Sequence, residues 1–410
     1  MSSPQYVIIG NSAAAVGAVE GIRQIDRQGE ITLIADAPHH TYSRPLISYL
    51  LAGKLTEDQL KYRSDTFYTD HRVDLLQATA TAVDAAKKQV ILSDGRRISF
   101  DKLLVATGSM AYLPPVEGLS GVPDRFTFMS LDDARGLSLA LGPDKRVLIL
   151  GARLIGLKCA EGLSGRVARV TMLDNAPRIL SSILDDGGAK LVQDHLESRG
   201  LTFKLAAAVK RLEQKTAVLE NGERLDFDLL VLAMGVRQNT ALLQGIAEID
   251  RGIVINGRSE TTAPDIYAAG DCAQTRDVSS GRSRVMAILP NAYLQGECAG
   301  INMAGGTKSY AKFIPMNAVS FFGLHIVTAG SYTGHIYAKN GPGLYKRLFY
   351  SDNKLNGYIL IGNVAKAGIY TSLIRERTPL DQLDFALICE KPGLMAFTQA
   401  DRAVKLGGSR

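Results

Sequence analysis

Chemistry in this chain centres on two glycine turns and the acids that follow them. In Val147-Leu148-Ile149-Leu150-Gly151-Ala152-Arg153-Leu154-Ile155-Gly156, an apolar run ends in glycine and gives way to a helix. In a turn that binds a dinucleotide, the first Gly makes the tight bend and the second lets the backbone approach the pyrophosphate. The third lets helix and strand pack closely. Gly151 and Gly156 hold the first and third positions, but Arg153 holds the second. An Arg there has opposed effects. Its Cβ crowds the pyrophosphate, and any left-handed backbone would cost about 1–2 kcal/mol. Its guanidinium, if it pairs with phosphate, contributes about 1.5–3 kcal/mol. Three outcomes stay open: NAD(H) still binds; NADP(H) or another anion binds; or the pocket no longer takes a nicotinamide. Asp174, ending the next strand, favours NAD(H), because a carboxylate bonds a ribose 2′-hydroxyl and repels a 2′-phosphate. Arg178, close behind it, weighs the other way.

The second turn lies at the N-terminus. Tyr6-Val7-Ile8-Ile9 leads into Gly10-Asn11-Ser12-Ala13-Ala14-Ala15 and a helix reaching about Ile25. Ser12 replaces the middle Gly if the backbone shifts slightly, and its hydroxyl and N–H still offer bonds to a phosphate oxygen. Ala15 keeps the helix close to the strand. The next strand, Glu30–Ala35, ends at Asp36, placed for the ribose of an adenosine. Two such units in one chain imply two dinucleotides facing each other.

The elements that must carry these turns are short apolar strands. After the segment 39–60 come Val73–Leu76, Val90–Leu92 and Leu103–Val105, the last running into Ala106-Thr107-Gly108 beside Leu113-Pro114-Pro115. The second unit contains strands over 167–173 and 229–233, the latter followed by Met234-Gly235. From about Phe313 the texture changes to alternating strands, with a hairpin predicted from Tyr345–Tyr350 and Leu355–Ile361.

Composition bounds the rest. At 410 residues the chain exceeds one ordinary core. Apolar content of 46% and charged content of 21% fit a globular protein. The apolar runs fall well short of the ~20 residues of a membrane span. The start, Met1-Ser2-Ser3-Pro4-Gln5, has no basic segment before the first strand, so no secretory signal is expected. The four cysteines, at 159, 272, 298 and 389, show no CxxC spacing. No metal site is expected, and the compartment expected is a reducing cytoplasm. The net charge of +6 is dispersed and accompanies no nucleic-acid motif. It suits an acidic protein partner, or simply solubility.

Five motifs appear in a fixed order: Gly10-x-Ser-x-x-Ala, Ala106-Thr107-Gly108, Gly151-x-x-x-x-Gly156, Gly235-Val236-Arg237-Gln238-Asn239 and Ala269-Gly270-Asp271. The set resembles the two-dinucleotide FAD oxidoreductases. More narrowly, three segments are similar to NADH:rubredoxin reductases and the flavin part of assimilatory nitrite reductases. These are Tyr42–Lys54, Pro290–Gly296 and Pro315-Met316-Asn317. The similarity spans essentially the whole chain. It lies close to flavin reductases serving iron–sulfur partners.

The resemblance implies an α/β fold with two dinucleotide-binding, Rossmann-like three-layer domains and a small α+β C-terminal domain. An FAD domain would comprise 1–115 and 240–312, an NAD(P) domain 116–239 and the C-terminal domain 313–410. It implies that Gly10, Ser12, Ala13 and Ala14 cradle the FAD pyrophosphate and that Asp36 takes the ribose. Arg44, Pro45, Lys54, Thr107 and Gly108 would border the flavin. Asp271 would bond the ribityl chain, and the segment around Asn291 and Gln295 would close over the ring. Gly151, Arg153, Ile155, Gly156, Asp174 and Gly235 would form the nicotinamide dinucleotide site.

No cysteine precedes Cys159, so the 41–54 segment cannot supply the redox thiol of the disulfide reductases. Flavin chemistry without a protein nucleophile remains: hydride passes from NAD(H) to flavin N5, and electrons leave singly to a rubredoxin- or ferredoxin-like protein. Related ferredoxin reductases pair a Glu with a Lys where this chain has Lys158 and Tyr49. That change would place positive charge near the nicotinamide and favour an anionic reduced flavin, unless Lys158 merely faces solvent. The alternative is a flavin-carrying subunit of a larger complex, in which Arg153 has degraded the nicotinamide site. A homodimer or hetero-complex is compatible with either.

Overall fold

The computed structural model describes residues 4–397 and 402. Met1–Ser3, cited above for the absence of a signal, and most of the segment after 397 lie outside the described residues. Contacts divide the chain into two compact units. One holds Met1–Ser182, Gln193–Thr275 and Arg284–Tyr310. The other holds Ile183–Val192, Arg276–Ser283 and Ala311–Arg410.

The larger unit contains both dinucleotide-type sheets. In the first, strands Ile266–Ala268, Lys102–Val105, Gln5–Ile9, Glu30–Ala35 and Val73–Gln77 lie side by side, all parallel. Its central strands read as continuous apolar runs because both faces are covered, and Ile8, Leu33, Leu103 and Leu104 are wholly buried. The second repeats the plan, again all parallel: Leu201–Lys204, Arg169–Leu173, Arg146–Leu150, Leu229–Leu232 and Arg125–Thr127. In each sheet the glycine turn leaves the carboxyl end of the middle strand, where such folds bind ligands.

One packing relationship was not anticipated from sequence. Helix Ala13–Ile25 lies against helix Leu289–Met303 through small residues on both sides. A Cβ on Gly296 would run into the Ala14 carbonyl oxygen, and one on Gly300 into that of Ala18. A Cβ on Gly17 or Gly21 would meet the carbonyls of Tyr293 and Glu297. The backbones therefore touch, and this fixes a distant helix against the first turn.

The smaller unit carries a five-stranded antiparallel sheet in the order Met316–Phe321, Leu324–Gly330, Lys354–Gly362, Leu344–Ser351, His335–Gly341. Helix Ala367–Glu376 packs its Tyr370, Leu373 and Ile374 into the core with Leu348 and Tyr358. The predicted hairpin is present, closing at Ser351↔Lys354. Asp352 and Asn353 both take positive φ (49° and 58°), as a two-residue turn of this hand requires.

Candidate functional site

The first turn is built around Gly10. Its φ of +111° and the nearby Ala106 carbonyl exclude any side chain, and its N–H donates to Ile34 O at 2.8 Å. Ser12 is the extended N-cap of helix Ala13–Ile25 and spends its hydroxyl on no capping bond. The first helical turn has no acid, so its amides and dipole present positive potential to an anion. Ala13 and Ala14 are buried beneath it. Asp36 stands exposed at the strand end, with one oxygen accepting from Ala37 N at 2.8 Å.

Residues far apart in sequence converge beside this turn. Gln295, 2% exposed, accepts the Gly270 amide at 2.8 Å and so fixes the Ala-Gly-Asp bend from helix Leu289–Met303. Asp271 accepts from Ser109 Oγ at 3.3 Å. Burial pushes its carboxyl above the usual range, against the opposing pull of the Arg44 guanidinium and the Ser109 bond. Asp271 sits in the single 3₁₀ turn Gly270–Cys272, and strand Ala273–Arg276 follows it. Arg44 and Pro45 are exposed in a single 3₁₀ turn. Thr107 Oγ1 donates to Asn239 O at 2.6 Å and Asn239 Nδ2 returns a bond to Thr107 O at 2.9 Å. That exchange locks Thr107-Gly108 to the crossing strand Val236–Gln238.

Asn291 is 3% exposed, and its Nδ2 has no hydrogen-bond partner among the described residues. A buried amide left unpaired costs about 1–3 kcal/mol, so a ligand acceptor is expected there. This orphan donor, the side-chain-free bend at Gly10 and the acid-free helix start together fit a bound flavin dinucleotide.

The second turn repeats the first. Gly151 has φ +112°, leaves no room for a Cβ beside Ala233 O, and donates to Leu173 O at 2.7 Å. A Cβ on Gly156 would meet the Gly151 carbonyl. Ile155 is half-buried beside it. Gly235, at φ +122°, lies between strands Leu229–Leu232 and Val236–Gln238 and accepts from Tyr112 N. Asp174 is 7% exposed; its carboxylate accepts the Ala152 amide at 2.7 Å and the Ala176 amide at 2.9 Å. The acid thus braces the turn, and two bonds leave it further acceptor capacity.

Gly151, Arg153, Asp174, Asn175, the stretch 207–209 and Met234 line an open cleft. Here one alternative left open by the sequence is resolved. Arg153 is the N-cap of helix Leu154–Leu163 with φ −100° and ψ −175°. An N-cap sits in the extended region, so the left-handed strain considered above does not arise.

Lys158 and Tyr49 are brought together, as the resemblance implied. The Lys158 Nζ lies 4.9 Å from the Tyr49 ring centroid, and Lys54 Nζ, otherwise exposed, lies 6.0 Å from it. Lys158 does not merely face solvent: its side chain is 19% exposed and pairs with Glu161. Glu161 went unremarked in the sequence, although an acid three residues on along a helix is the readable signal. A second unread network joins the same parts. His39 Nε2 contacts Asp132 at 2.9 Å, Asp132 accepts from Arg135 at 3.1 Å, and Arg135 forks onto Glu57 at 2.6 and 2.7 Å.

Cys159 and Cys272 are fully buried, and burial raises both thiols above their usual range. Neither is placed as a nucleophile. Among the described residues no three His, Cys, Asp or Glu side chains cluster as metal ligands, and no helix is long and apolar enough to cross a membrane.

A family model described as pyridine nucleotide-disulphide oxidoreductase matches residues 4–296. The NADH-dependent phenylglyoxylate dehydrogenase subunit epsilon of Aromatoleum evansii is 34% identical over 92% of this chain and 93% of its own length. The rubredoxin-NAD(+) reductase of Pseudomonas putida is 30% identical over 73% of this chain and 80% of its own. The chain spans about half the length of two longer relatives from Bacillus subtilis. A solved structure of the covalent putidaredoxin reductase–putidaredoxin complex shares the fold, with a TM-score of 0.87, 23% identity and full coverage of both chains. The chain belongs to the pyridine nucleotide-disulphide oxidoreductase family, the FAD-dependent oxidoreductases that its ordered motifs suggested.

Proposed function

We propose that this protein is an FAD-dependent reductase that moves electrons between NAD(H) and a small iron–sulfur protein of the rubredoxin or ferredoxin type. The observation that carries this reading is the paired architecture: two parallel sheets, each ending in a side-chain-free bend with an acid on the neighbouring strand. A rubredoxin-NAD(+) reductase is among the relatives at 30% identity. When bound, FAD supplies hydride exchange with the nicotinamide and release of single electrons.

The chain's own residues hold and shape that chemistry. The Gly10 bend and the amides of Ser12, Ala13 and Ala14 receive one pyrophosphate, and Asp36 receives its ribose. Asn291 satisfies its buried N–H on the bound ring system. Gln295 holds the Gly270 bend so that Asp271 meets the ribityl hydroxyls, while Arg44 offsets its charge. Asp174 accepts the adenosine ribose of NAD(H) and disfavours a 2′-phosphate. The division of labour follows 1–115 with 240–312 for FAD, 116–239 for NAD(H), and 313–410 for the C-terminal part. Four unpaired, buried cysteines suit a reducing cytoplasm.

One observation favours a second reading: the relative from Aromatoleum evansii is by its name a subunit. In that reading the chain is the flavin carrier of a hetero-complex and its nicotinamide site is idle. Supplying reduced protein anaerobically with a rubredoxin and a two-iron ferredoxin tests the acceptor. Bleaching of either iron–sulfur spectrum supports the first reading; transfer to neither contradicts it.

A further inference from the structure

The cleft beside Asp174 holds a feature that the family motif does not supply. Among its lining residues there is one cation, Arg153, and one acid, Asp174. Asp174 is buried and already braced by two amides. Arg153 is exposed, and its side chain has no hydrogen bond, ion pair or ring contact among the described residues. Three arginines of the same unit are engaged, Arg135 on Glu57, Arg146 on Asp228, and Arg166 on Leu51 O and Ser138. A cation kept out of every local ion pair, at the lip of a cleft and at an unstrained backbone position, is available to a ligand.

We propose that Arg153 anchors the diphosphate of the nicotinamide dinucleotide through its guanidinium, taking over from the close main-chain approach that a second glycine would permit. This rests on the reading of the cleft as the NAD(H) site. The Cβ of Arg153 holds a phosphate away from the turn, so the amides at the start of helix Leu154–Leu163 bind it less well. The planar fork spans the resulting gap and presents paired N–H donors that match phosphate oxygens. The helix brings no acid into its first turn to compete. Recognition is then split along the ligand. Asp174 takes the ribose without regard to phosphate, and Arg153 takes the phosphates without regard to the base.

The test uses the flavin-loaded protein and two probes, ADP and adenosine, with binding followed by calorimetry. Arg153→Gln, which keeps length and removes charge, weakens ADP by about 10- to 100-fold and leaves adenosine unchanged. Added salt weakens ADP more steeply in the unsubstituted protein than in the variant. Equal ADP affinity in the two proteins, or equal loss for ADP and adenosine, overturns the proposal, as does failure of ADP to bind the unsubstituted protein. A separate trial shows whether NADH reduces the flavin of the unsubstituted protein, so failure of the electron-transfer reading is distinguishable from failure of this one.

Discussion

The Asp174 carboxylate accepts the amide of Ala152 at 2.7 Å, so an acid at the end of one strand holds the turn that carries Arg153. The residue expected to read a ribose is also a structural brace. On the proposed reading of the cleft, binding and local stability are coupled through this one carboxylate.

Asp174→Asn keeps the shape but removes the negative charge that accepts two amides. It is expected to cost about 1.5–3 kcal/mol of stability and to weaken NADH binding. Denaturant unfolding and a titration with NADH check both parts. Lost binding with unchanged unfolding would show that the brace contributes nothing.

Gly296→Ala places a methyl against the Ala14 carbonyl and must separate the two helices. Overpacking of this kind costs about 1–3 kcal/mol, and the displacement reaches Gln295 and the Gly270 bend. The purified variant is expected to melt earlier and retain less flavin. Full flavin content at the original melting temperature would mean that the helix contact is not what sets the bend.

Asp271 gives a pH prediction. Its folded pKa is raised, chiefly by burial, so the folded state binds its proton more tightly than the unfolded chain does. Stability must then fall as pH rises from the ordinary carboxylate range through the raised value, and level off above it. In flavin-free protein, Asp271→Asn should flatten that slope, and Arg44→Ala should extend it to higher pH. Identical stability curves for protein and variant would remove Asp271 as the cause.

Glu161→Gln leaves the Lys158 ammonium beside Tyr49 without its carboxylate. The midpoint potential of the flavin is expected to rise, and Lys158→Gln should lower it, because positive charge favours the anionic reduced form. Spectroelectrochemistry measures both. An unmoved potential in both variants would place the pair outside the flavin's electrostatic reach.

Much of this arrangement was legible in the sequence because it is local. A strand, a glycine and a helix in succession specify a turn such as Gly151–Gly156, and an acid at the next strand end falls beside it whatever else the chain does. Tyr49 and Lys158 were matched only through resemblance, since nothing local ties residues so far apart. What stayed hidden depends on long-range packing. Gly296 against Ala14, Asn239 against Thr107 and the His39–Asp132–Arg135–Glu57 network join segments whose own patterns do not announce one another. The inclusion of 183–192 and 276–283 in the unit of the C-terminal sheet is of the same kind. Whether the backbone at Arg153 is strained stayed open for a different reason: the second motif position is a helix N-cap, and an N-cap is extended.

The most direct test of the account is anaerobic titration of the flavin-loaded protein with NADH, read at the visible flavin band. The account predicts stoichiometric bleaching by NADH, with NADPH much slower because of Asp174. A flavin that dithionite bleaches but millimolar NADH leaves untouched would contradict it.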